Sequence, residues 1–169
     1  MVDVTNSDAA TAVAEALASM PREAALRVAV EAFYFGYRAF TAPPDLVLGK
    51  LGLGRVHHRI LYFVAHQPAL SINALLGILG VSKQALNAPL RRLTEMRLVA
   101  IKTPEHDRRV RQLTLTASGK KLEAQLTRTQ VNLLQAAFAQ AGAKAATGWH
   151  QVMRSLCGQE GPNAERRAV

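Results

Sequence analysis

Five side chains within ten residues, in the run "SKQALNAPLRRL" (82–93), can do recognition chemistry. They are Lys83, Gln84, Asn87, Arg91 and Arg92, with Ser82 ahead of them. On a helix, Leu86, Leu90 and Leu93 recur at i, i+4 and i+7 and must share one face. Lys83, Gln84, Asn87, Ala88 and Arg91 then fall on the opposite side, flanked by Arg92. Gln and Asn can make paired hydrogen bonds to adenine and Arg to guanine, while Lys neutralises phosphate. A second charged group stands in "PEHDRRVRQLTLTASG" (104–119), where Asp107, Arg108, Arg109 and Arg111 crowd a short span. An ordinary solvated turn needs only Gly, Asn or Asp. Charge this dense on a hairpin suggests a probe aimed at an anionic partner.

The elements that must hold these side chains can be read from local signals. Ser71 is an N-cap and Gly80 a C-terminal stop for "SINALLGILG", and Ser82 caps the next helix. Two short helices joined by Gly-Val-Ser form a helix-turn-helix. The β-type runs 98–103 and 110–116 predict a hairpin whose tip is Pro104 to Arg109. Thr116 caps a long helix over about 117–141, Gly142 breaks it, and a last helix follows over about 143–157. Upstream, Pro21 starts a helix that the sequence predicts to end before "TAPP", with Pro43-Pro44 and "GKLGLG" as a linker. A further helix is predicted over about 54–66. Residues 1–20 read as weakly helical.

The whole chain has 169 residues, a net charge of +9 and a pI near 10.4. Residues 82–128 hold eleven basic and four acidic groups, so +7 of the +9 sits in 47 residues. A surplus serving solubility would be spread more evenly. The concentration implies a polyanionic partner. Apolar residues make up 49% and aromatic residues only 5%, and Ala and Leu dominate the apolar set, which favours helices. The single cysteine, Cys157, excludes an intrachain disulfide. No Cys/His metal pattern, P-loop, HExxH, GxSxG or carboxylate pair beside a His is present. His150 and Cys157 lie seven apart, too far for direct contact. The expectation is a protein that is not an enzyme, with no metal and no cofactor. The N-terminus carries Asp3, Asp8 and Glu15 where a signal peptide carries lysines, and no apolar run is long enough for a membrane span. A soluble, cytoplasmic protein is expected.

Helix-turn-helix followed at once by a charged hairpin is a winged helix. The segments "LLGILGVSKQALNAPLRRLTEMRLV" and "DRRVRQLTLTASG" resemble the MarR-type winged-helix transcriptional regulators. The wing pattern matches at Asp107, Arg109, Leu115, Thr116 and Gly119, and the resemblance covers roughly 21–157. The chain departs from the family at Leu76 and Gly77, at Met96-Arg97 in place of a usual glycine, and at Pro89 inside the recognition helix. An interior proline costs about 3 kcal/mol and predicts a kink.

The resemblance implies a mainly α fold with a small antiparallel β-wing, flanked by long N- and C-terminal dimerisation helices. The corresponding segments are 1–20, a flexible N-terminal segment; 21–54, the N-terminal dimerisation helix and linker; 55–116, the winged helix; 117–157, the C-terminal dimerisation helices; and 158–169, a disordered tail. It implies a homodimeric, sequence-specific regulator of double-stranded DNA: a repressor on a palindromic operator, bound to the nucleoid in a bacterial or archaeal cytosol and relieved by a small aromatic or anionic effector. Expected DNA contacts are Ser82, Lys83, Gln84, Asn87, Arg91 and Arg92 from the helix, and Asp107, Arg108, Arg109 and Arg111 from the wing. Arg109 is the groove probe and Asp107 its brace. Tyr34, Tyr37, Arg38, His57, His58, Arg59 and Tyr62 are candidates to line an effector cleft. Phe33, Phe35, Phe40, Leu133, Phe138, Trp149, Val152, Met153 and Leu156 exceed the needs of one 65-residue domain and are candidates for a dimer interface. The competing reading is a winged-helix protein-interaction module that does not read DNA, but a protein partner does not require +7 in one block.

Overall fold

The computed structural model describes residues 4–67, 69–103 and 111–158. The chain divides into two compact units, Met1–Ala42 and Pro43–Val169. The first holds α1 (Val4–Ser19) and most of α2 (Arg22–Gly49). The second holds the end of α2, then α3 (Arg55–His66), α4 (Ile72–Leu79), α5 (Lys83–Glu95), β1 (Val99–Lys102), β2 (Gln112–Leu115), α6 (Ala117–Ala141) and α7 (Ala143–Cys157).

The core of the second unit is built almost entirely of leucine. Leu75 from α4, Leu86, Leu90 and Leu93 from α5, and Ile60, Leu61 and Val64 from α3 are buried together with Val99, Leu113, Leu122 and Leu126. Each fully buried leucine contributes about 1.5–3 kcal/mol relative to exposure. The i, i+4, i+7 leucines of α5 thus face inward as their spacing requires.

Local chemistry sets the element ends. The Ser71 hydroxyl accepts from Ala74 N at 3.1 Å, the Ser82 hydroxyl from Ala85 N at 3.2 Å, and the Thr116 hydroxyl from Gly119 N at 3.1 Å. Gly80 closes α4 at φ +61, where a side chain is strained. The two strands pair antiparallel, with Val99 opposite Leu115 and Lys102 opposite Gln112. Ser71 adds an isolated bridge to Gln112, and Leu113 N donates to Leu70 O at 2.8 Å, so the residues just before α4 are tied to the wing strands.

One boundary departs from the sequence reading. The helix predicted to stop before "TAPP" continues through Pro43 and Pro44 to Gly49. Two prolines remove two backbone donors and strain the preceding turn. Against that, Pro44 and Leu48 are fully buried and Val47 packs on the leucine core. Burial of this last stretch outweighs the local propensity to stop. Likewise α5 runs through Pro89 as one helix, Lys83–Glu95. Where residues 1–20 predict only weak helix, α1 covers Val4–Ser19.

Candidate nucleic-acid interface

The recognition face is set by the burial of its opposite side. Ser82 caps α5 in extended backbone, and Leu86, Leu90 and Leu93 anchor the helix. Lys83, Gln84, Asn87, Ala88, Arg91 and Arg92 are all exposed. Arg91 Nε lies 3.6 Å from Glu95 Oε1, an exposed i, i+4 pair that holds the guanidinium only weakly. The face therefore offers amides and cations in water, on a helix whose axis is fixed by leucine packing.

The base of the wing is built more tightly than its tip requires. Thr116 Oγ1 donates to Arg97 O at 2.6 Å, Ser118 Oγ donates to Arg97 O at 3.0 Å, and Thr116 N donates to Leu98 O at 3.1 Å. Gly119 sits against this junction: a Cβ there would lie 2.0 Å from Leu98 O. The first turn of α6 is thus tied to the residues that lead into β1. Arg97 itself holds a left-handed conformation, φ +54, at the place where the family resemblance expects glycine. Arg111 is exposed just before β2. Asp107, Arg108 and Arg109, and with them the expected groove probe and its brace, lie outside the described residues.

The candidate effector residues are divided between the two units. Tyr34, Tyr37 and Arg38 belong to the first unit, where the Arg38 guanidinium stands 5.8 Å from the Tyr34 ring centre. His57, His58, Arg59 and Tyr62 belong to the second unit and point different ways around α3. His57 Nδ1 accepts from Gly54 N at 2.9 Å and so closes the start of α3. Burial holds His57 below its ordinary pKa, and the Arg92 guanidinium adds to this. Tyr62 is exposed and stacks on His66, ring centres 4.2 Å apart. His58 is buried in the protein, 9% exposed, and its Nε2 has no hydrogen-bond partner among the described residues. Burial lowers its pKa; Glu123 and Asp45 pull the other way and Arg59 adds to the lowering.

Sequence reasoning missed Glu123. It is a carboxylate only 8% exposed on the inward side of α6, between Leu122 and Leu126. Thr127 Oγ1 donates to its Oε1 at 2.7 Å, and His66 Nδ1 is 4.0 Å away. Its place next to Leu122 and three residues from Leu126, on the apolar stripe, was the available signal. No group of three or more His, Cys, Asp or Glu among the described residues could hold a metal ion.

A leucine-packed helix-turn-helix followed by a two-stranded wing is a winged-helix DNA-binding architecture. Residues 51–110 match the sequence model of the MarR family. The chain is 40% identical over 131 residues to the HTH-type transcriptional regulator PetP of Rhodobacter capsulatus, covering 78% of this chain and 79% of that one. This chain belongs to the MarR family, whose members are transcriptional regulators and not enzymes. The fold is shared with the Staphylococcus aureus MepR–DNA complex, at a TM-score of 0.63 and 18% identity over 75% of this chain and 94% of that chain. It is shared too with NadR in complex with 4-hydroxyphenylacetate, at a TM-score of 0.62 and 21% identity over 74% of this chain and 89% of that chain.

Proposed function

We propose that the protein is a homodimeric, sequence-specific DNA-binding transcriptional regulator, working in the cytoplasm as a repressor released by a small ligand. The observation that carries this is the exposed Lys83, Gln84, Asn87 and Arg91 face of α5, backed by three buried leucines. Gln84, Asn87 and Arg91 approach base edges in the major groove, while Ser82, Lys83 and Arg92 position the helix on phosphates. Arg109 probes the minor groove, Asp107 orients it, and Arg108 and Arg111 meet the backbone.

Dimerisation is supported by apolar side chains that a single chain leaves in water. Phe33 and Phe35 on α2, Leu133 on α6, and Trp149, Val152 and Leu156 on α7 are all exposed. A second copy that covers them would set two recognition helices on half-sites about one helical turn apart. Phe40, Phe138 and Met153 are half-buried. The effector is a small aromatic or anionic molecule, the class of ligand seen on the structural relative NadR. The candidates to contact it are Tyr34, Tyr37 and Arg38 in the first unit and, taken separately, His57, His58, Arg59 and Tyr62 in the second. No helix among the described residues is long and apolar enough to cross a membrane.

Selection of bound sequences from random duplex DNA with the purified protein tests this directly. The expected product is a palindrome of two half-sites, bound with an affinity that falls steeply with salt. Recovery of no preferred sequence, with affinity insensitive to salt, would favour a protein-interaction module instead.

A further inference from the structure

His58 and Glu123 are two ionisable groups that the proposed DNA contacts do not use, and both are nearly shut off from water. His58 sits on the inner side of α3 with Nε2 unpartnered among the described residues. An imidazole that is only packing would be better replaced by an apolar ring, because an unmade hydrogen bond in the interior costs about 1–3 kcal/mol. Glu123 faces His58 from α6 and Asp45 from the end of α2, while Arg59 adjoins it on α3. Asp45 is already committed to Arg55, with Oδ2 2.7 Å from Nη2 and 2.8 Å from Nε. Among the described residues, Glu123 is held by the Thr127 hydroxyl and, at 4.0 Å, by His66. Of the other elements packed on α3, α4 and β2 contain no ionisable residue, and α5 carries Lys83, Arg91, Arg92 and Glu95, all exposed, with the Glu95 carboxylate 3.6 Å from Arg91. Among the described residues, the buried acid that acts on His58 and is not already paired with an arginine is Glu123.

We propose that the α3–α6 joint is a proton-operated switch: uptake of a proton by His58 draws Glu123 toward it, displaces the first turns of α6, and through them shifts the wing and weakens DNA binding. The linkage to the wing is steric. Glu123 lies about one turn after Gly119, and Gly119 has no free space against Leu98 O. Thr116 and Ser118, in the same turn of α6, hold Arg97 O. Any movement of α6 at Glu123 must carry the wing base with it. The DNA part of this inference rests on the function proposed above; the movement of the wing base does not.

The sign distinguishes the switch from ordinary electrostatics. Acidification adds positive charge to a chain already at +9, and charge alone would tighten its hold on phosphates. The switch demands the reverse, weaker binding as the pH falls through the histidine range.

The test is a titration from about pH 7.5 to about pH 5.5 at constant ionic strength, read by NMR on the full chain and by affinity for the selected duplex. In the wild type, the backbone amides of Leu98, Thr116 and Gly119 should shift with the same midpoint as the His58 imidazole. Affinity should fall by about fivefold or more, the lower end of usual coupling between linked sites. Both effects should vanish in His58→Phe. Glu123→Gln, which keeps an acceptor for Thr127, should move the His58 midpoint to lower pH, and it serves as the second variant should His58→Phe not fold. Wing-base amides that ignore the His58 titration, or that respond equally in His58→Phe, would overturn the proposal. So would an affinity that rises on acidification, or a His58 midpoint unmoved by Glu123→Gln. A chain that binds no duplex at any pH would refute the regulator reading, and the amide titration alone would then decide the switch.

Discussion

Gly119→Ala is the substitution whose outcome the structure constrains most sharply. A methyl group at this position would lie 2.0 Å from Leu98 O, 2.9 Å from Leu98 C and 3.3 Å from Leu98 Cα. All three are backbone atoms, so no side chain can swing aside. The shortest distance is about 1.4 Å less than the 3.4 Å at which ordinary contact begins. The first turn of α6 must therefore lift from β1. Lifting it breaks or weakens the bonds from Thr116 Oγ1 and Ser118 Oγ to Arg97 O and from Thr116 N to Leu98 O. Three bonds at about 1 kcal/mol each give a loss of about 3 kcal/mol. Ala is favoured over Gly within a helix by about 1 kcal/mol, which offsets part of this. The net expectation is a destabilisation of about 2 kcal/mol or more. The assay is equilibrium denaturation at a fixed protein concentration, because a dimer's stability depends on concentration. Gly77→Ala in α4 is the control: a Cβ there meets nothing within 4 Å, so this change should stabilise by about 0.5–1 kcal/mol. If Gly119→Ala leaves the midpoint unchanged or raises it, the close approach of α6 to β1 is wrong.

Four further outcomes are expected. Arg97→Gly should raise stability by up to about 1 kcal/mol by relieving the left-handed backbone at φ +54, and a lower denaturation midpoint would contradict this. Ser82→Ala should cost about 1 kcal/mol of stability, since Ala85 N loses its acceptor at the start of α5. Gln84→Ala and Asn87→Ala should instead leave stability nearly unchanged and reduce the affinity ratio between selected and scrambled duplexes by about 1–3 kcal/mol, while Arg109→Ala should weaken binding to both; retention of full discrimination would refute the base-contact assignment. His57 and His58 are both held below the ordinary histidine value of 6.5 by burial. The unfolded chain then takes up protons first as the pH falls, so stability is fully present above about pH 6.5 and is lost progressively below it; thermal unfolding across that range should show a shallower acid limb in His58→Phe.

Much of the second unit was legible because its signals are short-range. A cap is a hydrogen bond across three residues, so Ser71, Ser82 and Thr116 announced the starts of α4, α5 and α6 without reference to the rest of the chain. Gly80 and Gly142 marked ends in the same way, both with positive φ. The amphipathic spacing of Leu86, Leu90 and Leu93 chose the buried side of α5 and, by exclusion, the exposed side that carries Gln84 and Asn87. The stripe predicted for α6 and α7 fared differently. Leu122 and Leu126 are buried, but Leu133, Trp149 and Val152 are exposed in the single chain. Periodicity reports that an apolar face exists; it does not report what covers it.

The sequence by itself determined the helix order, the caps, the hairpin and the concentration of positive charge around the recognition helix. These depend on neighbours within a turn or a strand pair, and residue types record such contacts directly. Only the tertiary structure decided that α2 runs through Pro43-Pro44, since the burial of Pro44 and Leu48 depends on partners distant in the chain. Only it placed Glu123 within electrostatic reach of His58, two residues 65 positions apart. And only it explains Gly119, whose glycine is required by a carbonyl 21 residues away at Leu98 rather than by its own backbone angles. Contacts of that range leave no pattern in a single sequence, because what they constrain is distance in space.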